Sequence, residues 1–251
     1  MKTFLVLLLS VGTLGFAPFR NEVDWRIVGG TMASKGQFPY QISLRMSNFH
    51  RCGGSIINAN TILTAAHCVD GWSSSSMEVV AGTNLVSGAG GDKYAVRLFT
   101  GHADYNPYTS KNDIALLHLS SSIQFNNLVQ PVAIGTTQIG DNVECVLTGW
   151  GTVDVESALS RYLQFINLKT ISNSVCIERH SSSDLTIADG HICTFTRRGE
   201  GSCQGDSGGP LVSGKEQIGV VSWGTPCAVG DPDVFTRVSA YNDWITENLH
   251  N

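Results

Sequence analysis

After residue 26 the chain is a succession of apolar runs of five to nine residues bounded by Gly, Pro, Ser or Asn, and this rhythm restricts the fold more than any other feature. One set reads YQISLR (40–45), CGGSIIN (52–58), MEVVAGT (77–83), YAVRLFTG (94–101) and IALLHL (114–119). A second reads NVECVLTGW (142–150), YLQFINLKT (162–170), GPLVS (209–213), QIGVVSW (217–223) and DVFTRV (233–238). Short runs rich in β-branched and aromatic residues between turn formers are strands. Two β units in tandem are therefore expected. With 27 glycines and only 15% charged residues, tight turns suit the chain better than long solvated helices. At 251 residues, a double β unit still fits one folded body. Only the end departs from the pattern: Tyr241, Trp244, Ile245 and Leu249 fall at helical spacing, which predicts a short amphipathic helix over 239–249 capping the second unit.

Lys2, the apolar run Phe4 to Leu9 and the small residues through Gly15 and Ala17 have the order of a secretory signal peptide ending at 15–17. The run falls short of the ~20 residues a spanning helix needs, so no membrane association is expected. A secreted, extracellular location follows, with residues 18–26 left as a short leader. Without residues 1–26 the chain carries 13 basic and 19 acidic side chains and no basic run interleaved with aromatics, which argues against nucleic acid as a partner. Seven cysteines in a secreted chain imply disulfides with one thiol left over. Their spacing does not suit a structural zinc site, and the sequence alone leaves the pairing open.

A hydroxyl is a poor nucleophile at neutral pH until a base takes its proton, and that base must be held in one tautomer and orientation. His67 in TAAHC, Asp113 in DIALL and Ser207 in GDSGGP supply the three residue types, each on a turn or at a strand edge. By IVGG, TAAHC, DIALL, TGWG, GDSGGP and SWG, in that order over residues 27–249, the chain resembles the chymotrypsin-like serine peptidases. The resemblance implies an all-β fold of two packed Greek-key barrels with a short C-terminal α-helix, one spanning about 27–130 and the other 131–251. It implies that His67, Asp113 and Ser207 are the catalytic residues, with the backbone N–H groups of Gly205 and Ser207 as the oxyanion hole. Ser222 and Gly224 would pair with substrate backbone. Disulfides Cys52–Cys68, Cys176–Cys193 and Cys203–Cys227 are implied in the same way, and Cys145 is left free because Ser213 stands where relatives have its partner.

The leader is a propeptide in this reading. Cleavage after Arg26 by a trypsin-like activator would free the Ile27 ammonium to pair with Asp206, so the chain is expected to be a zymogen. In the substrate pocket Gly201 stands where trypsins carry the floor aspartate, beside Ser202, while Asp233 stands on the wall where most relatives have a small residue. That combination resembles the collagenolytic brachyurin group and insect chymotrypsin-like enzymes, and implies broad specificity, a digestive role and collagen degradation. A metal site is not expected, since Thr83 replaces the carboxylate of the calcium loop of relatives. No cofactor is implied either. Expected partners are protein or peptide substrates, the activating protease and protein inhibitors, with the chain a monomer. Two other readings stay open: a narrow chymotrypsin- or elastase-like protease, and a non-catalytic secreted binding protein of the same fold.

Overall fold

The structure is a computed structural model, which describes residues 27–152, 154, 156–180, 186–225 and 227–249. The signal peptide, the propeptide and Arg26 lie outside the described residues. A two-residue strand β1 (Thr31–Met32) precedes β2 (Gln41–Met46), β3 (Phe49–Asn58), β4 (Thr61–Thr64), β5 (Met77–Ala81), β6 (Asp92–Gly101) and β7 (Ala115–Leu119). Strands β2 to β7 close into a six-stranded barrel in the order β2-β3-β4-β7-β6-β5. After the short β8 (Ala133–Ile134) come β9 (Glu144–Gly149), β10 (Gln164–Ile171), β11 (His191–Thr194), β12 (Pro210–Ser213), β13 (Glu216–Gly224) and β14 (Asp233–Arg237). These run β9-β10-β11-β14-β13-β12 and return to β9, closing a second barrel through the β9–β10 and β12–β9 ladders.

Alternation builds both barrels. In β10, Gln164, Ile166, Leu168 and Thr170 are buried while Asn167 and Lys169 face solvent, the period-2 pattern of a half-buried strand. β2 is buried on both faces. Ile42, Leu44 and Met46 fill the first barrel, whereas Gln41 on the other face accepts a 2.5 Å hydrogen bond from Thr148 Oγ1 of β9. Ser55 Oγ donates to Gln217 Oε1 at 2.5 Å across the same seam. Paired polar groups thus line the boundary between the two barrels, where unpaired ones would be costly.

Two short helices complete the chain. α1 (Asn173–Arg179) is capped by Ser172, whose Oγ accepts from Val175 N. α2 (Asn242–Asn248) follows a 3-10 turn over Val238–Tyr241. Contrary to the sequence expectation, this helix covers the first barrel: Val238, Tyr241 and Ile245 belong to the core of Leu44, Leu63 and Leu117. The reason is local. The turn after β14 carries the chain back across the seam, where Tyr241 Oη donates to Asn112 Oδ1 at 2.9 Å and His102 packs between Tyr241 and Trp244.

Candidate active site

His67 lies in a 3-10 turn that follows β4, and the Cys52–Cys68 disulfide fastens that turn to β3. Asp113, only 1% exposed, lies just before β7. Its Oδ1 accepts the His67 backbone N–H at 2.9 Å and its Oδ2 accepts His67 Nδ1–H at 2.7 Å. A carboxylate cannot donate, so Nδ1 carries the proton and Nε2 of the neutral ring is left able to take one. Ser222 Oγ donates to the same Oδ2 at 2.6 Å, and Thr236 Oγ1 fixes the Asp113 carbonyl at 2.7 Å. Sequence reasoning placed Ser222 against substrate backbone and missed this second role. Ser207 Oγ is not hydrogen-bonded to His67 Nε2 in this resting arrangement, a contact that commonly tightens only when substrate binds.

Among the described residues the N–H groups of Gly205 and Ser207 donate to no protein acceptor. Two adjacent free donors beside a nucleophile are what a developing oxyanion needs. Gly205 has φ +95°, a conformation that favours glycine, and a Cβ there would have to push aside the end of the Leu159 side chain. Its peptide is held from behind by His50, which sequence reasoning did not identify. His50 Nε2–H donates to the Gly205 carbonyl at 2.9 Å, while Nδ1 accepts from Ser43 Oγ at 2.8 Å. Burial pushes the His50 pKa down to about 4, so the ring is neutral and this tautomer is fixed.

Asp206 is fully buried. Its Oδ1 accepts from Gly151 N at 2.8 Å and its Oδ2 from Cys203 N at 3.0 Å. Burial outweighs both bonds and pushes its pKa up to about 7, with a further push from Asp233. Gly149 and Gly151, the glycines of TGWG, make room for it, since a Cβ at either would fall within 2.1 Å of a carboxylate oxygen. Ile27 is also fully buried, in the core of the second barrel, and Val28 bridges to Gly201.

Beside Ser207 opens a cavity of about 150 Å³ lined by Ser202, Ser222, Trp223, Gly224 and the Cys203–Cys227 bridge. Asp233 is buried behind Ser202, one of the residues that line this cavity. Its Oδ2 sits 2.4 Å from where a Cβ of Gly201 would be, so the carboxylate occupies the space that a floor side chain would need. Oδ2 accepts from Ser202 N at 2.8 Å and Oδ1 is 2.9 Å from Ser202 Oγ. Burial pushes this pKa up to about 7 as well. Trp223 is braced by His180, whose ring lies 5.0 Å away and whose Nε2–H donates to the Pro232 carbonyl next to Asp233.

The bridges Cys52–Cys68, Cys176–Cys193 and Cys203–Cys227 are formed, and Cys145 is a buried free thiol. In its partner's place Ser213 Oγ donates to the Glu144 carbonyl at 2.8 Å. Among the described residues the one cluster of possible metal ligands is Cys52, Cys68 and His67. Two of these are consumed in a disulfide, so the cluster offers no thiolate. No described helix is long and apolar enough to cross a membrane.

The family model described as Trypsin matches residues 27–245. Chymotrypsin-2 of Vespa crabro is 45% identical over 225 residues, 88% of this chain and 99% of that protein. Trypsin alpha-4 of Lucilia cuprina is 38% identical over 250 residues, covering 98% and 97% of the two chains. Trypsin beta of Drosophila erecta is 38% identical over 257 residues, covering 99% of this chain and 100% of its own. Two closed six-stranded barrels, a histidine held by a buried aspartate beside a serine with free N–H donors, and this likeness along the chain agree: the protein belongs to the trypsin family and is a chymotrypsin-fold serine endopeptidase.

Proposed function

We propose that the chain is a secreted, digestive endopeptidase made as a zymogen, switched on by cleavage after Arg26, that cuts after both basic and apolar residues. In this reading His67 takes the proton of Ser207 as the hydroxyl attacks the scissile carbonyl, then gives it to the leaving amine. Asp113 holds the imidazole and stabilises its charged form. Gly205 and Ser207 N–H groups receive the oxyanion, a contribution worth a factor of ~100 or more per donor. The acyl-enzyme on Ser207 is then hydrolysed by water with His67 again as base.

The observation that carries the specificity is the carboxylate of Asp233 in the space above Gly201. A Lys or Arg side chain entering between Ser202 and Gly224 would meet a negative charge at the base, and an apolar one would meet Trp223 and the disulfide. The similarity to proteins named chymotrypsin and trypsin alike supports a mixed preference. Activation is supported by the depth at which Ile27 and Asp206 are both buried, since a buried carboxylate without a cation costs ~3–5 kcal/mol.

The test is a cleavage profile of the trypsin-activated protein on a mixed peptide library. Wild type is expected to cut after Lys, Arg, Phe and Leu, and Asp233→Gly to lose the basic sites only. An unchanged profile in the variant removes Asp233 from the pocket, and a wild type confined to apolar sites establishes the narrow enzyme instead. Arg26→Gln should remain silent after trypsin treatment; full activity would overturn the zymogen reading.

A further inference from the structure

The two buried acids of this site differ in one respect that bears on selectivity. Asp206 accepts both of its bonds from backbone N–H groups, those of Gly151 and Cys203, which can only donate. Asp233 accepts one bond from a backbone N–H, but its other partner is the Ser202 hydroxyl at 2.9 Å. A hydroxyl is donor and acceptor alike. When Asp233 is ionised, Ser202 Oγ–H points at Oδ1. When Oδ1 carries a proton, the same oxygen accepts it, and the Ser202 N–H still binds Oδ2. In both protonation states Asp233 therefore keeps both of its bonds to Ser202 with no heavy atom moved, and in the protonated state the Ser202 hydroxyl hydrogen turns away from Oδ1, toward the cavity that Ser202 lines. We propose that Asp233 is a proton-operated selector of the residue cleaved: ionised, it favours substrates with Lys or Arg ahead of the scissile bond, and protonated, it favours those with an aromatic or aliphatic side chain there.

The energetic argument is one of linkage, and it rests on the pocket reading above. A cationic guest gives the buried carboxylate the counter-charge it lacks and draws the proton off. An apolar guest displaces water from the cavity and leaves an ionised carboxylate with two neutral donors, so it favours the proton. Guest and proton thus compete or cooperate at one atom pair. Burial pushes the Asp233 pKa up to about 7.

Among the described residues no cation forms an ion pair with this acid. On the nucleophile loop the charged neighbours are Asp206, whose field Asp233 shares, and Glu200, which is paired with Arg197 at 2.6 Å. β11 contributes Thr194 opposite Asp233, and β13 contributes Gly224, neither charged. Within the segment leading to β14 lie Asp231 and Gly230, the latter approached by the stem of Arg198. His180 binds the Pro232 carbonyl, and Arg237, later in β14, is turned to the carbonyls of Asp189, His191 and Ile139.

The test is the ratio of kcat/KM for two peptide amides differing only in Lys or Phe ahead of the scissile bond, measured on the activated enzyme from pH 5.5 to 8.5. Any pH-dependent step common to the two substrates cancels in the ratio, and the lysine stays charged throughout. For one group titrating near 7, the ionised form rises and the protonated form falls each about tenfold from pH 6 to pH 8, so the Lys/Phe ratio should rise about a hundredfold where each substrate uses one form alone and about tenfold where only Lys is sensitive. In Asp233→Asn the ratio should be low and flat, with Phe cleavage retained. A flat ratio in wild type overturns the proposal, and so does a pH-dependent ratio that survives in Asp233→Asn. These failures differ from failure of the pocket reading, in which Asp233→Asn leaves the Lys/Phe preference unaltered at every pH. A second readout needs no variant. Benzamidine binding to wild type near pH 6.5 should release more than about half a proton, obtained from binding heats in two buffers, and release of none overturns the proposal.

Discussion

One methyl group added at position 151 tests how strictly the Asp206 carboxylate must be placed. A Cβ on Gly151 would lie 2.1 Å from Asp206 Oδ2 and 2.7 Å from Oδ1, well inside the ~3.5 Å of ordinary non-bonded contact. Gly151 does not have the positive φ that penalises alanine, so the effect is steric. Asp206 cannot swing aside freely, because Gly151 N and Cys203 N each hold one oxygen. Either the carboxylate moves and loses these partners, or the segment recedes and breaks Thr152 N–H to Gln204 O at 2.8 Å, which positions the residue before Gly205. Disturbing a buried carboxylate in this way costs ~3–5 kcal/mol, which on the transition-state scale is ~10² to ~5 × 10³ in kcat/KM. Gly151→Ala, activated by trypsin, should show that loss on a peptide substrate, together with slow labelling of Ser207 by an active-site phosphonate. Gly140→Ala, where an added Cβ meets nothing within 4 Å, is the control and should match wild type. A Gly151→Ala enzyme within about threefold of wild type, ~0.7 kcal/mol, refutes the reasoning.

The Cys145 thiol, pushed up to about 12 by burial, should not react with an aromatic disulfide reagent at pH 8 in the native protein and should react once per chain after unfolding; immediate native reaction contradicts its burial. His50→Ala should lower kcat about tenfold with little change in KM, because the Gly205 peptide loses its anchor and not its place in binding; a change confined to KM assigns His50 to substrate binding instead. The Asp233 carboxyl is held near 7 when folded and titrates near ~4 when unfolded, so the folded chain keeps the extra proton between these values. Its contribution to stability is present below pH ~4, falls as pH rises toward 7 and stays lost above that. The thermal midpoint of Asp233→Asn relative to wild type should accordingly rise from pH 4 to pH 8, and a constant difference refutes the sign.

Ten strands were legible because one face of each is apolar or because turn residues bracket it, as β10 illustrates. β4 and β11 were not, for a physical reason: Thr61–Thr64 and His191–Thr194 are buried at all four positions, so they carry no alternation, and their polar residues do not read as core. α1 is seven residues long, too short for a periodic signal, and is marked mainly by its Ser172 cap. The stripe on α2 announced a buried face but carried nothing about which barrel it meets. At the site, His67, Asp113 and Ser207 stand in distinctive local sequences. The supports Ser222 to Asp113 and His50 to Gly205 join residues 109 and 155 positions apart. Such contacts arise only where the two barrels pack against each other, and no local pattern encodes them.

Two carboxylates on and beside one loop put the same electrostatic problem to two uses. Asp206 and Asp233 are both buried, both pushed up toward neutrality by desolvation, and close enough that the charge of one raises the other. Each is therefore incomplete without a cation. In the proposed reading the chain itself supplies one, the Ile27 ammonium released by cleavage, and the substrate supplies the other through Lys or Arg. Because the two acids repel when ionised, neutralising one makes ionising the other cheaper, and by reciprocity a cationic guest and the new N-terminus should each strengthen the hold of the other. Asp206 has only one-way donors and demands its partner. Asp233, with the reversible hydroxyl of Ser202, tolerates its absence by keeping a proton. In the proposed reading that difference combines an obligatory activation switch on the nucleophile loop with a permissive pocket beside it.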